Sequence, residues 1–283
     1  MKKLVTRTIA GIVYIALIVA ALLCGDVWFM LLLAILALLG LAETESMARH
    51  LTRMPFVAMG VDRVTAVVIV IVNMLMAQGF SYVGGSSFDP VLTAMPVVLC
   101  LLVRGIVQLY LRDCNGLLCV SVSGATLLYV AGSLSTLPYI YYIAGSPLLI
   151  LAMFVMIWLN DTGAFVVGSL MGRHKLFERL SPKKSWEGFF GGLAFCVAAA
   201  WLIWQFLPAW LPGLGLWTSL GLGALVAVMA TWGDLFESLL KRTAEVKDSG
   251  HLIPGHGGIM DRIDSLLFVA PATLIYLMCV AKF

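Results

Sequence analysis

Charge is what this 283-residue chain has least of: only 12% of its residues are Asp, Glu, Lys or Arg. A water-soluble domain carries about 25%, so this chain cannot cover a globular surface with polar side chains. Disorder is excluded by the same scarcity, because disordered segments combine low hydrophobicity with high charge. The charge balance is close, 18 Lys and Arg against 15 Asp and Glu. Without a dense basic face, no nucleic-acid partner is expected. Histidine occurs four times, and the six cysteines (Cys24, Cys100, Cys114, Cys119, Cys196, Cys279) form no C-x-x-C pair. That argues against a zinc site or a disulfide framework and for reduced thiols acting as small hydrophobes.

Apolar residues fill the space that charge leaves. The hydrophobic set makes up 61% of the chain, and the mean hydropathy is +1.02. A bilayer core about 30 Å thick takes roughly 20 apolar residues in a helix. That ruler predicts an all-α, polytopic membrane protein with about nine transmembrane helices. They fall near 4–24, 27–42, 64–79, 91–111, 117–137, 147–171, 187–207, 214–232 and 264–282. The second and third runs are short for a full span. A β-barrel would alternate apolar and polar residues with period two, whereas these runs are apolar all round. Met1, Lys2 and Lys3 imitate the start of a signal peptide. No small-residue cleavage site follows, so the first run is read as a membrane helix.

With the N-terminus inside, 17 of the 18 basic residues fall on one side of the membrane and Lys282 alone on the other. Arg104 is counted among the 17, at a helix end. Cytoplasmic loops carry such an excess, so span count and orientation support each other. The outer loops near 80–90, 138–147 and 208–213 are plain Gly/Ser/Pro connectors. The inner loops 173–187 and 233–264 differ, holding nine of the 18 bases and eight of the 15 acids. The expected organisation is an N-terminal transmembrane bundle, 1–146, and a C-terminal catalytic transmembrane region, 147–283, with cytoplasmic loops 173–187 and 233–262.

The chemistry-bearing residues crowd into those two loops. Asp234, Glu237, Ser238 and Lys241 are spaced i, i+3, i+4 and i+7, one face of a helix. The glycine-rich turn 254–258 allows backbone N–H groups to approach an anion. Asp261 and Asp264 follow three residues apart at the start of the last helix. Mg²⁺ is typically held by one or two carboxylates plus substrate phosphate oxygens, and carboxylates at membrane helix ends are costly and usually functional. Solvated topology-setting charge is the bland alternative. It accounts for Lys183 and Lys184 as well as a substrate contact does, but not for the glycine cluster beside spaced carboxylates. Ser185 is placed to cap the following helix, with Glu187 in its first turn. Asp161 is the one acid well inside a predicted span, and a structural Asp and a substrate contact fit it equally.

Ser238-x-x-Lys241-Arg242, Lys247-Asp248, Pro254-x-His256-Gly257-Gly258 and Asp261-Arg262-x-Asp264 form a 27-residue pattern. It resembles the signature of phosphatidate cytidylyltransferases (CDP-diacylglycerol synthases) without a departure. Asn160-Asp161-Thr162, the Gly168/Gly172 pair, Ser181-Pro182-Lys183-Lys184 and Glu187-Gly188 are also similar to that family. Ser185 stands where Thr is common, which keeps the hydroxyl. The resemblance covers 147–283; the first half matches only as apolar spans.

The resemblance implies transfer of the CMP moiety of CTP to phosphatidic acid, giving CDP-diacylglycerol and pyrophosphate for phospholipid biosynthesis. It also implies Mg²⁺, with a second cation either monovalent or divalent, and a homodimer. The setting it implies is a bacterial cell (inner) membrane with the active site facing the cytoplasm. Asp234 and Asp261 would hold the metal, with Asp264 as a further candidate. Lys241, Arg242, Lys247, Asp248, His256 and Arg262 would form the catalytic set, the bases among them neutralising triphosphate and pyrophosphate. Ser181, Lys183, Lys184, Ser238, Gly257 and Gly258 would bind substrate, with Asp161 as a further candidate. The phosphatidate phosphate is itself the nucleophile, so no Ser/His/Asp or Cys/His arrangement is needed. A CDP-alcohol phosphotransferase would carry a D-G-x-x-A-R motif, which is absent here. A transporter would want internal repeats and charges near the midplane, and only Asp161 partly qualifies.

Overall fold

The computed structural model describes residues 2–81, 90–112, 114–250 and 257–280, and nearly all of them are helical. In chain order the helices are α1 (Lys2–Leu23), α2 (Asp26–Ala48), α3 (Phe56–Ser81), α4 (Pro90–Tyr110) and α5 (Gly116–Thr126). A π-helical segment, Leu127–Gly132, precedes α6 (Leu137–Ala144) and α7 (Leu148–Met171). A short antiparallel hairpin, β1 (Lys175–Phe177) and β2 (Ser181–Ser185), leads into α8 (Trp186–Phe206), α9 (Leu216–Thr243) and α10 (Met260–Val280). Among the described residues, eight helical stretches are long and apolar enough to cross a bilayer, and α1 adds a shorter apolar stretch over 10–23. The chain is an all-α, polytopic membrane protein.

Two runs that looked short on hydropathy lie inside helices of 23 and 26 residues. Hydropathy stops at a charge, but backbone hydrogen bonding does not. Helix α2 therefore continues through Glu43, Thr44 and Glu45, and α3 takes in Asp62 and Arg63. For the same reason α9 runs on to Thr243, turning the first part of the expected loop at 233–264 into helix. The six cysteines are free thiols, as their apolar settings suggested.

The chain divides into two compact units, one of Met1–Tyr139 with Leu240–Arg262, the other of Ile140–Leu239 with Ile263–Phe283. The first unit buries Phe29, Leu33, Leu41 and Met74 almost completely. In a bilayer, apolar contact alone separates packed helices little from lipid, so polar pairs and close packing gain weight. Arg104 supplies such a pair. It lies inside α4, 3% exposed, and donates to the buried Asp62 of α3 at 3.0 Å and to Ser123 of α5 at 3.0 Å. Ser123 in turn donates to Asp62 at 2.5 Å. The charge count had placed this arginine at a helix end, but three helices converge on it.

In the second unit α7 and α8 pack backbone to backbone. A Cβ on Gly188 would lie 2.9 Å from the Ala164 carbonyl and 3.2 Å from the Gly168 Cα, so the crossing requires glycine there. Such small-residue contacts are the usual means of close helix approach in membranes. The hairpin is formed by the charged sequence that joins these two helices.

Candidate functional site

In the second unit the hairpin is built to present its second strand. Ser185 ends β2 and caps α8, accepting from the Gly188 amide at 3.2 Å. Glu187, in the first turn of α8, reaches back to accept from the amides of Arg173 at 3.1 Å and His174 at 3.2 Å. It also pairs with His174 Nδ1 at 2.6 Å. Both ends of the hairpin are thereby tied to the first turn of α8. The sequence showed Glu187 as a favourable first-turn acid and as part of the family resemblance, but not its tie to the hairpin, and His174 carried no signal at all.

The hairpin closes one side of a cavity of about 620 Å³ whose walls include Asp161, Ser181, Lys183, Lys184 and Asp234. Four of these are expected substrate residues and the fifth is an expected metal residue. Asn160, 2% exposed, also lines it. Lys184 Nζ forms an ion pair with the Asp234 carboxylate, joining residues 50 positions apart in the chain.

Around Asp234 the acids converge. Helix α9 places Asp234 and Glu237 one turn apart, and α10 brings Asp264 beside them. One carboxylate oxygen from each lies within 4.8 Å of the others. The approach is possible because Gly233 has no side chain: a Cβ there would sit 2.6 Å from the Asp264 carbonyl and 3.1 Å from the Ser265 Cα. Glu237 is fully buried. Two unit charges at such a distance repel by roughly 4 kcal/mol at an effective dielectric of 20, a repulsion that a cation held among the three carboxylates would relieve. Hard oxygen donors on a rigid helix pair fit Mg²⁺. Glu237 is the residue that sequence spacing brought to the right face without assigning it to metal; its burial and the arrival of α10 single it out.

The first unit holds the remaining charged residues of the 240–262 segment. Asp261 accepts from Lys241 Nζ at 2.7 Å, the Gly258 amide at 2.8 Å, and Ser249 through its hydroxyl at 3.0 Å and its amide at 3.2 Å. The Gly258 amide, expected to be open to a substrate anion, is therefore engaged by an internal carboxylate. Gly257 adopts a left-handed φ of +86°, which makes the tight turn. Arg242 donates to the Val246 carbonyl at 3.3 Å, and Lys247, Asp248 and Arg262 are exposed. Ser238 lies half-buried on α9 in the second unit. His256 falls outside the described residues. Glu43 of α2 was not anticipated: it accepts from the Ser249 hydroxyl at 2.9 Å and from the Ile259 and Met260 amides at 2.8 and 2.9 Å. An acid at the end of an apolar run gives no such hint.

A family model described as the cytidylyltransferase family matches residues 5–280. A protein of Staphylococcus aureus (strain COL) named phosphatidate cytidylyltransferase is 45% identical over 122 residues, 43% of this chain and 46% of that protein. A Staphylococcus epidermidis protein of the same name is 43% identical over 122 residues, with the same coverage. These matches span about half the length of each relative. A third protein of that name, from Staphylococcus haemolyticus (strain JCSC1435), is 32% identical over 267 residues, 94% of this chain and 95% of its own. Matched in this way along almost its whole length, the chain belongs to the cytidylyltransferase family.

Proposed function

We propose that this protein transfers the CMP moiety of CTP to phosphatidic acid, releasing pyrophosphate and leaving CDP-diacylglycerol in the membrane. An oxygen of the phosphatidate phosphate attacks the α-phosphorus of CTP, and the bond to the β-phosphate breaks. Such a transfer needs in-line positioning and neutralised charge more than covalent help from the protein. The observation that best supports this reading is the cavity lined by Lys183 and Lys184, in which Lys184 forms an ion pair with Asp234. A cavity of about 620 Å³ is within the size range of small-molecule sites.

In this reading Asp234, Glu237 and Asp264 hold Mg²⁺, which when bound supplies charge neutralisation at phosphate oxygens. Asp261 is proposed as a further carboxylate for metal, one that would exchange its Lys241 partner to serve. Lys241, Arg242, Lys247 and Arg262 neutralise the triphosphate and the departing pyrophosphate, with Asp248 and His256 assigned beside them. Ser181, Lys183 and Lys184 hold a substrate phosphate, Asp161 lines the same cavity, and Ser238 is assigned to substrate as well. A lipid whose tails stay in the bilayer meets a cytosolic nucleotide only at the interface, so the proposed setting is a bacterial cell membrane with this face cytoplasmic. CTP-dependent pyrophosphate release on adding phosphatidic acid to the detergent-purified protein is the direct test. No release with CTP, phosphatidic acid and Mg²⁺ together would remove the assignment.

Two further results are expected. In a cysteine-free background, Lys247→Cys and Ala209→Cys, both at exposed positions, should label from opposite sides of the membrane. Labelling from one side would end the proposed orientation. Lys183→Ala and Lys184→Ala should raise a substrate KM by about tenfold, which corresponds to about 1.4 kcal/mol, while the melting temperature stays near wild type. Lys184→Ala should be the more severe, because it also removes the partner of Asp234. Unchanged KM values for both CTP and phosphatidic acid would return both lysines to a topological role.

A further inference from the structure

Glu43 sits 206 residues before Ser249 in the chain, near the end of α2. Its carboxylate nonetheless accepts three hydrogen bonds around the start of α10. The first amides of a helix have no partner within it, and negative charge is favoured at that end. Glu43 supplies both needs, taking the Ile259 amide on one oxygen and the Met260 amide on the other. The space around it is shaped to fit. A Cβ on Gly250 would lie 2.6 Å from Glu43 Oε1, and a Cβ on Gly258 would collide with both Glu43 Oε2 and Ser249 Oγ. Two glycines of the loop thus form the cradle for one carboxylate.

The same contacts lead to Asp261. Ser249 Oγ lies 2.9 Å from Glu43 Oε2 and 3.0 Å from Asp261 Oδ2. A hydroxyl has one proton and donates to one of them at a time, so Ser249 is a hinge between the two acids. Gly258 donates to Asp261 while its neighbours Ile259 and Met260 donate to Glu43. The amides of residues 258–260 are therefore committed to internal carboxylates.

We propose that Glu43 is a positioning residue for the transfer reaction, setting the place and orientation of the Asp261 carboxylate through Ser249 and the first turn of α10. The proposal rests on the reading of Asp261 as a metal-binding carboxylate. It assigns a catalytic consequence to the N-terminal half of the chain, which carries none of the signature residues. A residue that merely tied α2 to α10 would change stability and nothing else. A positioning residue changes turnover per folded molecule and the metal requirement.

The test compares Glu43→Gln, which keeps the size and one carbonyl acceptor but removes the charge, with Glu43→Asp and Asp261→Asn. For Glu43→Gln the expected result is a kcat at least about tenfold lower per folded molecule. The half-saturating Mg²⁺ concentration should rise several-fold, with KM for phosphatidic acid within about twofold of wild type. Hydrogen exchange in the 257–262 segment should accelerate, a readout that needs neither metal nor turnover. Glu43→Asp should recover part of the kcat. Adding Ser249→Ala to Glu43→Gln should cost less than the two losses combined, because both act along one path. Wild-type kcat and Mg²⁺ dependence in Glu43→Gln would overturn the proposal, as would a loss matched by a fall in folded protein alone. If Asp261→Asn keeps the wild-type Mg²⁺ requirement, the metal reading of Asp261 fails instead. If Asp261→Asn shifts it and Glu43→Gln does not, the positioning role alone is lost.

Discussion

Replacing Asp234 by asparagine is expected to lower CDP-diacylglycerol formation at least about 10²-fold, the scale on which one electrostatic transition-state contact acts. The substitution keeps size and hydrogen-bonding capacity and removes the charge. Three things depend on that charge. It pairs with Lys184, it completes the three-carboxylate cluster with Glu237 and Asp264, and it lines the same cavity as Lys183. Hard divalent cations need charged oxygen ligands, so an amide in this position is a poor substitute. The loss should appear in kcat with higher Mg²⁺ only partly restoring it, while the protein inserts and purifies normally because Asp234 is half-exposed rather than part of the apolar core. Asp264→Asn should approach the same loss, since its oxygen belongs to the same cluster. Asp261→Asn should also lose activity, with release of Lys241 from its 2.7 Å pair as an added effect. Near-normal turnover in Asp234→Asn at ordinary Mg²⁺ would place the metal elsewhere and dismiss the cluster as the reactive centre.

The second large effect concerns folding, in the half of the chain without signature residues. Asp62→Ala would leave Arg104 buried, 3% exposed, with its carboxylate partner gone. Breaking one side of a buried ion pair typically costs about 3–5 kcal/mol, because the surviving charge stays desolvated. A large drop in detergent melting temperature and poor recovery of Asp62→Ala are expected. Ser123 and Gln108 would remain as neutral partners of the guanidinium, and neutral acceptors do not replace a charge. The double variant Asp62→Ala/Arg104→Leu should recover much of the loss, since neither charge is then buried. A melting temperature for Asp62→Ala within error of wild type would show that the pair is solvated or dispensable. No recovery in the double variant would assign the loss to packing rather than charge.

Hydropathy and charge are sums over neighbours in sequence, and what depends on such sums was legible. The helical membrane class, the approximate number of spans and the concentration of charge in two loops all come from local composition. Helix-face spacing marked Asp234 and the resemblance marked Lys183, Lys184 and Asp161, all without their geometry, and the cavity gathers these residues together. The helix boundaries were less legible, because a helix such as α2 continues past Glu43 while an apolar ruler stops there.

What the chain alone determined, then, is which segments enter the membrane and which residues are chemically able to bind phosphate and metal. Those properties belong to each residue and its immediate neighbours. Only the tertiary structure decided which of the acids work together. Glu237 joins Asp234 and Asp264 because Gly233 lets α10 approach α9. Asp261, three residues from Asp264, is instead held by Lys241, Ser249 and Gly258. Arg104 pairs with Asp62 across 42 residues, and Glu43 reaches Met260 across 217. Electrostatic and hydrogen-bond energies depend on distance in space, and in a bundle whose helices return repeatedly through the bilayer, separation along the chain says almost nothing about that distance.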